Sequence, residues 1–168
     1  MQYPIGKFEK PEAIDASHIQ AAIESISLLP SQLEKTLERV RDEHLLRSYR
    51  EGGWNLRQTI HHLADSHMNA FMRFKLALTE DHPTIKAYHQ DGWASTADNQ
   101  ADIQTSVAIL KGLHARWVLL MRNMLPEDWE KTFFHPEHLR SISLKETVLL
   151  YDWHGRHHHA HIRIIIDG

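Results

Sequence analysis

Residues 143–166 read SLKETVLLYDWHGRHHHAHIRIII. Ser143 with Glu146 three residues later is the pattern of a capping box, so a helix is expected to open there and to run to about Ile165. Leu150, His154, His157, His161 and Ile164 then fall at alternating four- and three-residue spacing and share one stripe. That stripe is expected to face the protein interior. His158 and Ile162 lie just beside it, and His159 falls off it. His157 and His161 therefore project from one face about one turn apart, with His154 next to them.

Working upstream, the pattern predicts three more helices. The third covers about Ala101 to Leu125, with Ile103, Val107, Leu110, Leu113 or His114, Trp117, Leu120 and Met124 inward. Leu125 to Trp129 reads as a short helical start, and Phe133 to Arg140 as an irregular connection. The second helix is announced by the turn Tyr49-Arg50-Glu51-Gly52-Gly53-Trp54 and a capping box of Asn55 and Gln58. It is expected to reach Glu80, with Ile60, Leu63, His67, Phe71, Phe74 and Leu78 on its core face. The connection from Asp81 to Asn99 is long and carries Tyr88 and Trp93, so it is expected to pack on the body. The first helix is expected from Ser17 to Asp42, kinked or split at Pro30, where Ser31, with Glu34 three residues on, can cap a fresh start. Four such helices predict an all-α chain, with residues 1–168 forming one four-helix-bundle domain.

Composition narrows the role. The 168 residues suffice for one domain with a real core. Lys and Arg form no cluster along a face, which argues against nucleic acid as a partner. No apolar run approaches the ~20 residues that span a bilayer, so no membrane is expected. Residues 1–7 lack the apolar segment of a secretory signal. The chain has no cysteine, which excludes disulfides, a protein thiol nucleophile and cysteine-type zinc sites. A cytoplasmic location fits.

Neutral imidazole is the commonest nitrogen ligand for zinc, nickel and related ions. Two ligands from the last helix and one from a neighbour would leave a coordination position open, as in catalytic sites. The bland alternative is that buried histidines bond a carbonyl and exposed ones capture nickel adventitiously. The second helix tilts the balance toward a site, because it carries His61, His62, Asp65 and His67. Periodicity alone does not choose between His67, on the apolar stripe, and His62, on a polar stripe with Thr59, Ser66, Asn69 and Arg73.

Gly52-Gly53-Trp54, Arg57-Gln58, the run from His61 to Asn69 and Arg73-Phe74-Lys75 resemble the second helix of the DinB/YfiT-like family. Tyr3-Pro4-Ile5-Gly6 and the late Tyr151-x-Trp153-His154-x-x-His157-His158-x-Ala160-His161-Ile162 extend the resemblance to almost the whole chain. It is nearest the YfiT branch, regarded as metal-dependent hydrolases and bacillithiol transferases. The resemblance implies a four-helix bundle, a homodimer, and one zinc or nickel ion per chain held by three histidines. By motif position the ligands are His62, His157 and His161.

An ion with three neutral ligands is a strong Lewis acid, able to draw a bound water from pKa ~15.7 toward ~7 or to ionise a thiol of pKa ~8.5. The leading expectation is transfer of a small bacillithiol-like thiol to a small electrophile. The second is hydrolysis by a metal-activated water, with Asp65 and His154 as candidate catalytic groups. Asp65 has a plainer role open to it, as an acceptor orienting a histidine N–H. A third expectation, from another class, is metal storage, which would show several equivalent sites.

Overall fold

A computed structural model describes residues 2–168. Helix α1 (Ala16–Leu37) is capped by Asp15, whose carboxylate accepts from the Ser17 and His18 amides. It runs unbroken through Pro30, so the expected split with a restart at Ser31 does not occur. Proline removes the N–H that would bond the carbonyl four residues back, that of Ile26. His114 Nδ1 approaches that carbonyl at 2.7 Å and takes the vacated place. Pro30 itself is buried, so packing and the substitute bond together offset the loss.

Helix α2 (Leu56–Thr79) begins as the sequence predicts. Asn55 accepts from the Gln58 amide and the Gln58 side chain accepts from the Asn55 amide. This cap sets where α2 starts and hence which way His62 points. Asn55→Ala should cost about 1 kcal/mol, read as a lowered urea midpoint at unchanged slope. A four-residue helix, α3 (Gln90–Trp93), lies within the 81–99 connection. That connection packs down as expected: Gln58 Nε2 donates to the Ala94 carbonyl at 3.2 Å, and the Tyr88 and Trp93 rings sit 4.7 Å apart.

Helix α4 (Ile103–Arg122) follows, then a 3-10 turn at Pro126–Glu130. The stretch expected to be irregular is a β-hairpin. β1 (Thr132–His135) pairs antiparallel with β2 (Arg140–Ser143), Phe133 opposite Ile142. Both of those side chains are buried against the bundle. Strands of four residues are too short for period-two alternation to stand out. Helix α5 (Leu144–Asp167) starts at once from Ser143, whose hydroxyl accepts from the Glu146 amide.

The fold is the expected four-helix bundle, built from α1, α2, α4 and α5. α1 and α2 each pack on α4 and on α5, so α1 lies diagonally across from α2 and α4 across from α5. The long connections make these diagonal crossings possible. One apolar cluster gathers Ile26, Phe74, Trp117 and Val148; a second gathers Leu33, Ile60, Leu110 and Ile162. Between them along the helices lies a layer that is not apolar: His67 on α2, His114 on α4, and His154 and His158 on α5. Gly155 lets this layer close, since a Cβ there would meet Leu29 Cδ2 at 2.6 Å.

Candidate metal centre

The most deeply buried stripe of α5 runs through Leu144, Val148, Tyr151, Gly155, His158, Ile162 and Ile165. It lies one residue along from the stripe the sequence suggests, because Leu150 and Ile164 are only half-buried. Gly155, at its centre, carries no hydrophobic signal. Ile162, Ile164, Ile165 and Ile166 are apolar all round the last turn and do not fix a phase. His158 is therefore central, His154 lies at its flank, and His157 and His161 sit further round.

α2 supplies the facing group. Its polar stripe is no solvated face: Thr59, His62, Ser66 and Asn69 are all buried. His62, His154 and His158 converge, each offering a ring nitrogen within 4.8 Å of the others. No other group of three or more histidines or carboxylates among the described residues meets in this way. His62 Nε2 and His154 Nε2 are 3.2 Å apart. Two nitrogens bound tetrahedrally to one ion at ~2.0–2.1 Å would lie roughly 3.3 Å apart. Nδ1 of His158 is buried without a hydrogen-bond partner, as are those of His157 and His161. The donor set therefore fits a divalent ion.

Burial holds these rings neutral, the state in which imidazole binds metal. Desolvation lowers His62 to about 4 and holds His154 and His158 well below the usual histidine value. Neighbouring histidines deepen the effect at the latter two.

The expected ligands thus separate. His62 is in the converging group, whereas His157 and His161 are not; His154 and His158 stand where those two were expected. The His161 ring stacks on Tyr49 at 3.7 Å, and its Nε2 donates to the Gln2 carbonyl at 3.1 Å. His157 stacks on Trp153 at 4.5 Å. Both line a cleft of about 430 Å³ that opens from the three converging rings. The Tyr49–Trp54 turn forms another wall. Gly52, at φ +65°, permits its sharp reversal. Trp54 lies 4.4 Å from the His62 ring and is held by an Nε1–H bond to Asp91. Arg50 also lines the cleft. The sequence marks Gly52-Gly53-Trp54 only as a motif, and nothing in it assigns Tyr49 or Arg50 to a site.

The remaining candidates have clear surroundings. His61 is turned toward α4, with Nδ1 2.7 Å from Ser106 Oγ and Nε2 3.3 Å from the Ala101 carbonyl. His67 is a fully buried core residue. Among the described residues, the Asp65 carboxylate has no hydrogen bond to a histidine; Asn69 Nδ2 donates to the Asp65 backbone carbonyl. Burial, helped by the like charge of Asp98, raises its carboxyl to about 6. His159, expected off the stripe and exposed, is half-buried, with Nε2 2.8 Å from Thr36 Oγ1.

The DinB superfamily model matches residues 26–162, and the chain belongs to that superfamily. A protein of Oceanobacillus iheyensis described as "Putative metal-dependent hydrolase" is 47% identical over 161 residues, 96% of this chain and 93% of that protein. One of the same description from Bacillus cereus strain 03BB102 is 45% identical over 162 residues, with the same coverage. The solved structure of YfiT from Bacillus subtilis superposes with a TM-score of 0.94 at 39% identity, covering 98% of this chain and 94% of that one. It is described as "a probable metal-dependent hydrolase with an unusual four-helix bundle topology". Among the described residues, no helix is long and apolar enough to cross a membrane.

Proposed function

We propose that His62, His154 and His158 hold one zinc or nickel ion per chain, and that the chain is a metal-dependent enzyme acting on small molecules in the adjoining cleft. The observation that carries this is the convergence of three neutral imidazoles, His62 and His158 buried and His154 half-buried, at the head of an open cleft. Storage is disfavoured, because only one such group exists among the described residues.

A divalent ion there would supply Lewis acidity, making a coordinated thiol or water easier to deprotonate. The finer reading is transfer of a low-molecular-weight, bacillithiol-like thiol to a small electrophile. Its support is chemical. The chain has no cysteine to act as nucleophile, and the three converging groups include no carboxylate to serve as general base. A thiol needs little help to ionise, whereas hydrolysis also needs a group to move protons. Around the nucleophile, Trp54 shields one side from solvent and Arg50 places a positive charge at the cleft wall. A homodimer in the cytoplasm completes the reading.

Hydrolysis is the second reading. It is favoured by the descriptions of the relatives and by Asp65, whose raised pKa suits a base working near neutrality.

The test is to load chelator-stripped protein with one equivalent of zinc or nickel. It is then assayed with bacillithiol plus a chloro-nitroarene, and separately with aryl esters and amides. Metal-dependent conjugate formation is expected. Ester or amide turnover without conjugation would replace the first reading by the second. Several weak sites and no turnover would return the chain to a metal-binding role.

A further inference from the structure

The histidine layer continues beyond the three converging rings. His154 Nδ1 lies 3.3 Å from His67 Nε2, His67 Nδ1 lies 2.9 Å from His114 Nε2, and His114 Nδ1 lies 2.7 Å from the Ile26 carbonyl. The His67 and His114 ring planes are 7° apart with centroids 5.0 Å apart. A centroid separation so much longer than the nitrogen separation marks an end-to-end N–H···N bond, not face-to-face stacking.

The direction of every bond follows from its far end. A carbonyl only accepts, so His114 Nδ1 carries the hydrogen. A neutral ring has one N–H, so His114 Nε2 accepts and His67 Nδ1 donates. By the same step His67 Nε2 accepts and His154 Nδ1 donates. His154 Nε2 is then left with its lone pair, facing His62. The anchoring carbonyl is available because of the residue at position 30: Pro30 has no N–H to return to Ile26.

We propose that His67 and His114 are positioning residues, an imidazole relay that locks His154 into its Nδ1–H tautomer and aims the Nε2 lone pair at the metal centre. The relay spans the core from α1 through α4 and α2 to α5. It rests on the ligand reading above only for its consequence; the tautomers themselves belong to the metal-free chain. Hydrogen-bonded partners of this kind fix ring orientation, and their loss typically lowers metal affinity roughly 10- to 100-fold.

The experiment is long-range 1H–15N correlation NMR on metal-free protein labelled with 15N-histidine, with zinc affinity measured in parallel. The expected result is the Nδ1–H tautomer at His67, His114 and His154. In His114→Leu the acceptor for His67 is gone. Nδ1–H at His154 should be lost and zinc should bind roughly 10- to 100-fold more weakly, although no cluster residue is changed. An Nε2–H tautomer at His67 or His154 in the wild-type chain overturns the relay, whatever the zinc affinity. Should His114→Leu not fold, the wild-type tautomers alone decide. Three Nδ1–H tautomers in a chain that binds no zinc would uphold the relay and overturn the ligand assignment instead.

Discussion

His154→Ala and His158→Ala should each abolish tight binding of zinc or nickel, while His157→Ala and His161→Ala leave one ion per chain bound. The contrast is sharp because all four residues lie within two turns of α5 and differ mainly in direction. His154 and His158 meet His62; His157 and His161 are committed to Trp153, Tyr49 and the Gln2 carbonyl. Sharing the affinity of a zinc site among its ligands gives each imidazole on the order of 3 kcal/mol, a loss of roughly a hundredfold or more in Kd. His62→Ala should match His154→Ala and His158→Ala. Competition against a chromogenic chelator, on protein never exposed to nickel resin, gives the affinities. Metal retained in His154→Ala and His158→Ala but lost in His157→Ala and His161→Ala would restore the pair the sequence suggests. His157 and His161 line the cleft, so their replacement is expected to change turnover or KM at constant metal content.

The difference between the two histidine pairs shows what the sequence could and could not specify. Local chemistry was legible. Asn55 with Gln58, and Ser143 ahead of Glu146, marked helix starts to the residue, because a cap is a bond between near neighbours. The four-helix count followed from long periodic segments, and the family from the motifs around His61 and Tyr151. Features set by distant partners were not. Pro30 reads as a break, and what makes it tolerable is tertiary: its own burial and the bond from His114, supplied by α4. The hairpin depends on Phe133 and Ile142 finding the bundle. The phase of α5 was misjudged by one position, since counting apolar residues gives Gly155 no weight at the point where α5 approaches α1. A shift of one residue turns a helix by about 100°, enough to bring His158 to the centre of the buried stripe and to carry His157 and His161 round from it.

Acid should destabilise the metal-free protein between about pH 6.5 and 4, and His114 should account for a measurable share. Burial lowers His114 to about 4, against 6.5 when exposed. Over that interval the unfolded chain binds a proton at this position that the folded chain refuses. A group with a lowered folded pKa on a base contributes stability that is fully present above the unfolded value and falls as pH drops. The difference corresponds to about 3 kcal/mol by pH 4, a large part of the ~5–15 kcal/mol of a typical domain. His67, shifted in the same direction by burial and by its histidine neighbours, adds to the loss. Asp65 opposes it: its carboxyl is raised to about 6, so its contribution is present below the unfolded value of 3.8 and is lost as pH rises through 6. Urea unfolding of chelator-treated protein at pH 7, 6, 5 and 4.5 measures the sum. Wild type should lose stability steeply. His114→Leu should show a slope smaller by up to one proton, about 1.4 kcal/mol per pH unit, and Asp65→Asn a steeper fall from a higher starting point at pH 7. A flat profile from pH 7 to 4.5 would mean that these rings take up protons without unfolding, and that the layer dividing the apolar core is wetter and looser than its hydrogen bonds imply.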